Sequence, residues 1–306
     1  VKERYLQMNN VQLSNPQNGR VDLHLHTRNS DGDDTLSDVI RMAAEEGLKV
    51  IAVTDHNKFS LEQCRNEGEL NVIPGCEFSA AYLAPAREET VEVHVVGLFP
   101  EGVNPEDFNG IFQNIQSGKK SYVDAILQQL ESIGLHISLA EVEAVRRPGR
   151  HMGRHDIAEV LIRRGYAKDM DDAFDRYIGD FSPYYVPSTR FIGYASMEQV
   201  VQQIINSGGI PVLAHPWGYG MGEQEIRQLI SDFKSVSGEL GGLEVYYELY
   251  LDDPEKMNFL RCMALEYDLL PSAASDRHRA PQPFASTNGL AMYQKMLAKL
   301  NQCKNG

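Results

Sequence analysis

Short apolar runs alternate with amphipathic helical stretches along most of this chain, and that pattern leaves few folds open to it. Residues 20–25, 49–54, 72–78, 91–98, 210–214, 242–246 and 269–275 read as strands. Residues 35–46, 61–70, 197–207, 224–235 and 255–267 read as helices, with Thr35 at an N-cap position and Gly47 just past the end of its helix. Strands alternating with helices call for parallel βαβ units, and about seven of them suit a barrel better than an open sheet. The alternation breaks between Phe112 and Pro187, where only helices are expected, at 119–132, 155–164 and 171–178. The expected organisation is an α/β barrel domain from residues 20–111 and 188–290, a small α-helical insertion at 112–187, and an N-terminal extension at 1–19. Barrel active sites lie at the C-terminal strand ends, so an insertion there is expected to overhang the site as a lid.

Composition narrows the function. At 306 residues, 42% hydrophobic and 24% charged, the chain is neither disordered nor fibrous. Its longest apolar runs, such as 50–53 and 210–214, are strand-length and fall far short of the ~18 residues of a membrane span. The N-terminus carries no signal-like apolar block, although a chain beginning with Val leaves a removed leader open. A net charge of −14 opposes binding of long nucleic acid through a basic surface. Four cysteines without CxxC spacing read as reduced thiols of a cytoplasmic protein.

The histidines and several carboxylates then fall at revealing places. His24 and His26 are two apart on one strand and so share a face. Asp31 follows in a loop, His56 directly after the second strand, and Glu77 near the end of the third. His94 lies within the fourth, His215 follows a later strand, and Asp276 and His278 follow the last. Any one of them alone reads as packing. Together, six imidazoles and three carboxylates delivered by successive strands are too costly to bury unpaired and too many for one four- or five-coordinate ion. They point to two or three divalent ions, with Glu77 as a bridge. Mixed nitrogen and oxygen donors without thiolate fit manganese, zinc or iron. Asp55, beside His56, is expected to orient a metal-bound imidazole.

In this order the runs Asp22-Leu23-His24-Leu25-His26-Thr27 to Ser30-Asp31-Gly32, Ala52-Val53-Thr54-Asp55-His56, Ile73-Pro74-Gly75-Cys76-Glu77 and Asp276-x-His278 resemble the polymerase and histidinol phosphatase (PHP) family of metal-dependent phosphoesterases. The resemblance implies a distorted (β/α)7 TIM-like barrel around a di- or trinuclear centre. It implies His24, His26, Glu77 and Asp276 on one ion, Asp31, His56 and His278 on a second, and Glu77, His94 and His215 on a third. The helical insertion is similar to that of the branch acting on nucleotides. There the insertion usually carries Arg-Pro-His-x-Ala, whereas this chain has Arg154-His155-Asp156-Ile157-Ala158, with His155 in place of proline and Asp156 in place of histidine.

The function implied is hydrolysis of small phosphomonoesters, foremost nucleoside monophosphates or 3′,5′-bisphosphates, by a hydroxide shared between ions. Arg154 is the first candidate to bind the phosphate, with Arg150 and Asp156 as further substrate-binding candidates and His155 as a candidate general acid. Trp217 and Tyr219, after His215, are either base-stacking or local packing residues. The alternatives are a 5′–3′ exonuclease on short RNA or DNA oligonucleotides, a histidinol-phosphate or sugar phosphatase, and a non-catalytic metal-binding module. The complete donor set argues against the last.

Overall fold

The computed structural model describes residues 19–147 and 152–305, so Arg150 and nearly all of the expected N-terminal extension lie outside the described residues. The elements begin with β1 (Val21–Leu25), α1 (Leu36–Glu45), β2 (Val50–Val53), β3 (Arg65–Glu67), β4 (Leu70–Ala84) and β5 (Glu89–Leu98). The helices α2 (Asn109–Ser132), α3 (Leu139–Val145), α4 (Arg154–Arg163) and α5 (Met170–Ala173) follow. The alternation resumes with α6 (Met197–Asn206), β6 (Ile210–Leu213), α7 (Glu223–Ser237), β7 (Gly242–Tyr247), α8 (Pro254–Glu266), β8 (Leu270–Ala274) and α9 (Leu290–Asn305). Two compact units result. One is drawn from Val1–Ala80, Val93–Phe108 and Ser196–Gly306, the other from Ala81–Glu92 and Asn109–Ala195. Among the described residues no helix is long and apolar enough to cross a membrane.

The first unit is an α/β barrel. Its strands follow the order β1-β2-β4-β5-β6-β7-β8, and a bridge between Leu25 and Arg277 joins the two ends. Strands β1, β2, β6 and β7 are buried along their whole length, as expected of strands covered on both faces. The helices contribute apolar stripes, for example Val39, Ile40 and Ala43 of α1 and Ile226, Leu229, Ile230 and Phe233 of α7. Thr35 caps α1 by accepting the Asp38 amide at 3.1 Å, and Ser196 forms a capping box with Gln199 on α6.

Two expectations fail here. The ladder is not parallel throughout: β5 pairs antiparallel with β6, with Val95 opposite Leu213. The reason is the connection, because β4 and β5 are neighbours separated by residues 85–88 alone, and a parallel crossover needs a dozen residues or more. The helix expected at 61–70 is absent. Instead β3 pairs antiparallel with β4, Glu67 opposite Leu70, around Gly68 at φ +60°. A two-residue turn of that kind requires a left-handed backbone, which glycine adopts freely. Helices α3 and α9 were not expected and are present.

The second unit has its own core. Ile115, Val123, Ile126 and Leu130 of α2 pack with Val142 of α3 and with Ile157 and Leu161 of α4. The stretch Phe174–Ile178, directly after α5, is a π-helical turn.

Beside the centre described below, Phe78 of β4 is fully buried, with ring centroids of Phe108 and Phe59 at 4.9 and 6.0 Å. Phe78→Ala is expected to lower unfolding stability by ~3–5 kcal/mol, read as a fall in the denaturant midpoint. A loss below ~1 kcal/mol would contradict the packing described here.

Candidate metal centre

All nine donors named from the sequence lie in the first unit, and the fold gathers them around one carboxylate. Glu77, on β4, is 1% exposed. Its Oε2 lies 3.2 Å from both His24 Nε2 and His26 Nε2 and 3.0 Å from His56 Nδ1. Its Oε1 lies 2.7 Å from His94 Nδ1 and 2.9 Å from His215 Nε2. Asp276 Oδ1 faces His26 Nε2 at 3.0 Å and His24 Nε2 at 3.4 Å. Asp31 stands on the far side of His26, within 3.4 Å of His26 Nδ1 and of His56 Nε2 and 3.5 Å of His278 Nε2.

Local backbone explains these positions. His24, on β1, and His26, directly after its last residue, are two apart and so fall on one face. The turn holding Asp31 closes through the Ser30 and Gly32 amides onto the Thr27 carbonyl. A Cβ on Gly32 would sit 2.8–2.9 Å from Thr27 and His26 backbone atoms, so only glycine lets this turn fold back so tightly. His56, past the end of β2, forms a bridge with Glu77 in the middle of β4. His94 lies within its strand, as expected, and not at a C-terminal end. It stands mid-way along the reversed β5, level with Ala214, whose amide donates to its carbonyl at 3.1 Å. Antiparallel pairing thus brings His94 beside His215, the residue after Ala214.

Three groups of donors follow. They are His24, His26, Glu77 and Asp276; His26, Asp31, His56 and His278; and His56, Glu77 and His94, with His215 on the same Glu77 oxygen as His94. His26 and His56 each belong to two groups, more sharing than the sequence implied. The donor set fits divalent ions. Two imidazole nitrogens, His24 Nε2 and His26 Nε2, face each other at 3.1 Å, and Glu77 Oε2 and Asp276 Oδ1 beside them are buried without an aligned hydrogen bond. Four donors some 3.2 Å apart surround a point roughly 2.0 Å from each, the bond length of a zinc-like ion to nitrogen and oxygen. His278 Nδ1 lies 2.7 Å from the Asp276 carbonyl, so it carries the proton and leaves Nε2 as the donor atom.

Residues outside the expected set complete the surroundings. Glu244 of β7 accepts from His24 Nδ1 at 2.7 Å, and the Tyr247 hydroxyl donates to Asp276 Oδ2 at 2.7 Å. Arg277 is 3% exposed and pairs with Asp34 at 2.7 Å. Asp55 does not orient an imidazole as expected. It accepts from the Thr27 amide at 2.8 Å, from the hydroxyls of Thr27 at 2.7 Å and Ser30 at 2.5 Å, and from Ser60. Asp55 therefore ties down the turn that carries Asp31. Tyr219 is a packing residue, its hydroxyl held by the Ala214 carbonyl and the His94 amide. Trp217 packs on Phe259 at 5.1 Å.

The remaining candidates belong to the second unit. Arg154 pairs with Asp180 at 2.7 Å, and the His155 ring meets Phe174 edge-on at 5.0 Å. Asp156 is 2% exposed and accepts the Gly153 amide at 2.9 Å, the N-terminal cap of α4. The carboxylate that stands where the similar branch carries histidine thus has a capping task.

Comparison with known proteins identifies the architecture. The model of the PHP domain matches residues 22–179. The chain belongs to the PHP family. Relatives include a 3′,5′-nucleoside bisphosphate phosphatase of Chromobacterium violaceum, 31% identical over 277 residues, covering 84% of this chain and 87% of that protein. The 5′-3′ exoribonuclease Rnm of Escherichia coli is 28% identical over 264 residues, covering 84% and 85%. A solved structure of an amidohydrolase from C. violaceum, with bound sulfate and no metal, superposes with a TM-score of 0.73 at 26% identity, covering 91% of this chain and 96% of that one. The barrel class and the phosphoesterase enzyme class expected from the sequence both hold for this PHP protein.

Electrostatics predict how this centre loads. Burial would raise the Glu77 carboxyl, but His56, His94 and His24 outweigh it and hold it well below the usual range. Burial opposes charge on His26 and His56, yet the neighbouring carboxylates push both up to about 10. In the metal-free protein the raised imidazoles stabilise the fold fully below their ordinary value near 6.5, and that stability is lost as pH rises through about 10. The lowered carboxylates stabilise it above about 4 and fail on acidification. An ion entering at neutral pH must displace these protons. Apparent affinity is therefore expected to rise about tenfold per pH unit for each proton displaced between pH 6 and 9. Calorimetric titration in buffers of different ionisation enthalpy measures the release, and binding without it would contradict the assignment.

Proposed function

We propose that this PHP protein hydrolyses phosphomonoesters of small molecules, nucleotides foremost, at the nine-residue centre, with two or three manganese, zinc or iron ions. The observation that carries the reading is the convergence of six imidazoles and two further carboxylates around one buried glutamate. When bound, such ions supply Lewis acidity toward phosphoryl oxygens and lower the pKa of water.

The chain's own residues do the rest. Glu77 presents one oxygen to His24, His26 and His56 and the other to His94 and His215, which suits a carboxylate shared between neighbouring ions. Asp31 and Asp276 orient donors on opposite sides of His26. Arg154 has the fork geometry for phosphate and is assigned to the substrate, which must compete with Asp180 for its guanidinium. His155 is assigned to protonate the leaving oxygen. The helical residues 112–187 are assigned as a substrate-binding insertion. Free thiols at Cys64, Cys76, Cys262 and Cys303 support a cytoplasmic setting.

A second reading, cleavage of short oligonucleotides from the 5′ end, is favoured by the Rnm relative. Turnover of nucleoside monophosphates, 3′,5′-bisphosphates and sugar phosphates, read as released inorganic phosphate, and of di- to pentanucleotides, read as released mononucleotide, each with added manganese, zinc or iron, separates the two. Nucleotides are expected to turn over fastest, and a preference for oligomers would select the exonuclease. The double substitution His24→Ala and His26→Ala is expected to reduce turnover by about three orders of magnitude or more. Arg154→Ala is expected to raise KM with metal content unchanged. Full activity in the double variant would overturn the reading.

A further inference from the structure

Every strand on the barrel path except β7 bears one of the nine donors or leads directly into one. Strand β7 instead presents Glu244, 1% exposed, whose two oxygens serve two different donors. Oε1 lies 2.7 Å from His24 Nδ1, and Oε2 accepts the backbone amide of His215 at 2.7 Å. We infer that Glu244 is a positioning residue that sets two metal donors at once: it fixes the ring tautomer of His24 and the backbone that aims His215. This rests on the metal centre proposed above and adds to it the residue that builds two of its corners.

The chemistry of each contact supports this. A carboxylate only accepts, so the His24 proton sits on Nδ1 and the lone pair on Nε2, the nitrogen facing Glu77 and Asp276. His215 has φ +24° and ψ 62°, a backbone conformation that a non-glycine residue keeps only when its surroundings impose it. The Glu244 carboxylate on its amide is such a constraint, and from that backbone the ring reaches Glu77 at 2.9 Å. The ladder between β7 and β8 slips between Glu244 and Tyr246, the kind of bulge that re-aims side chains next to a site. With both oxygens engaged by N–H donors, Glu244 supports ligands and is not one itself.

The test uses the full chain, stripped of metal and titrated with cobalt(II) and manganese(II). Binding is read by calorimetry, coordination by the cobalt visible spectrum, and folding by thermal unfolding without metal. Glu244→Gln keeps the shape but leaves one amide N–H facing another, and is expected to weaken at least one equivalent of metal by 10- to 100-fold. The cobalt spectrum of that equivalent is expected to change. Glu244→Asp keeps the charge one methylene short of reaching both partners, and is expected to weaken binding by less. Ser272→Ala, removing a buried hydroxyl that donates to the Leu243 carbonyl at 3.4 Å, controls for general damage and is expected to bind as the parent does. Parent-like affinity and spectrum in a folded Glu244→Gln would overturn the inference, as would equal losses in Ser272→Ala. Failure of both Glu244 variants to fold with or without metal would overturn it in favour of a purely structural role. Because phosphate release is not read, a protein that binds metal in this Glu244-dependent way yet cleaves no ester would retain this inference and lose the proposed function.

Discussion

A carboxylate shut away from water is tolerable only where positive charge surrounds it. Glu77 is such a group, and much of the barrel's architecture supplies its neighbours. Four strands bring five imidazoles to within 3.2 Å of its two oxygens. Without ions, protons on those rings provide the compensation; with ions, the cations take their place. The same cage is therefore stable in two chemical states, and the exchange between them is where its function lies.

The donors themselves are rigidly placed. His24 and His26 are fixed by strand alternation, and Asp31 by a turn that Asp55 and Gly32 hold closed. His278 is fixed by the carbonyl of its neighbour Asp276. Asp276 and His215 both keep positive φ angles, as does Asn57 directly after His56. Of the five non-glycine residues with positive φ among the described ones, three lie at or next to donors, so backbone strain is concentrated at the centre.

Most of the nine donors were legible in the sequence because they interrupt an apolar run or follow closely on one, where an imidazole or acid has no cheap explanation. The barrel was legible for a related reason, since apolar runs and amphipathic helices alternate with regular spacing. What escaped has physical causes. The β3 hairpin is three exposed residues around Gly68, too short to show a period of two. The reversal of β5 follows from the short connection at 85–88, and it shows only once β4 and β5 are known to be neighbours. Glu244 sits two residues after Gly242 in a fully buried strand, and in sequence it resembles the polar half of an ordinary alternation. The cap that Asp156 makes on Gly153 is visible only in the folded helix.

The backward course of β5 separates His94 from its companions in one respect. Most of the other donors hang at strand ends, where loops can lengthen without disturbing the sheet, but His94 is threaded into the middle of a hydrogen-bonded ribbon with Leu213 and Val212 opposite its next two residues. A chain insertion at 85–88 leaves that ribbon in step. One extra residue between Val93 and Val95 would turn the imidazole to the opposite face of the sheet and put an aliphatic side chain in its place. In the descent of such proteins, length is free to drift at the tip of this hairpin and frozen a few residues further along it.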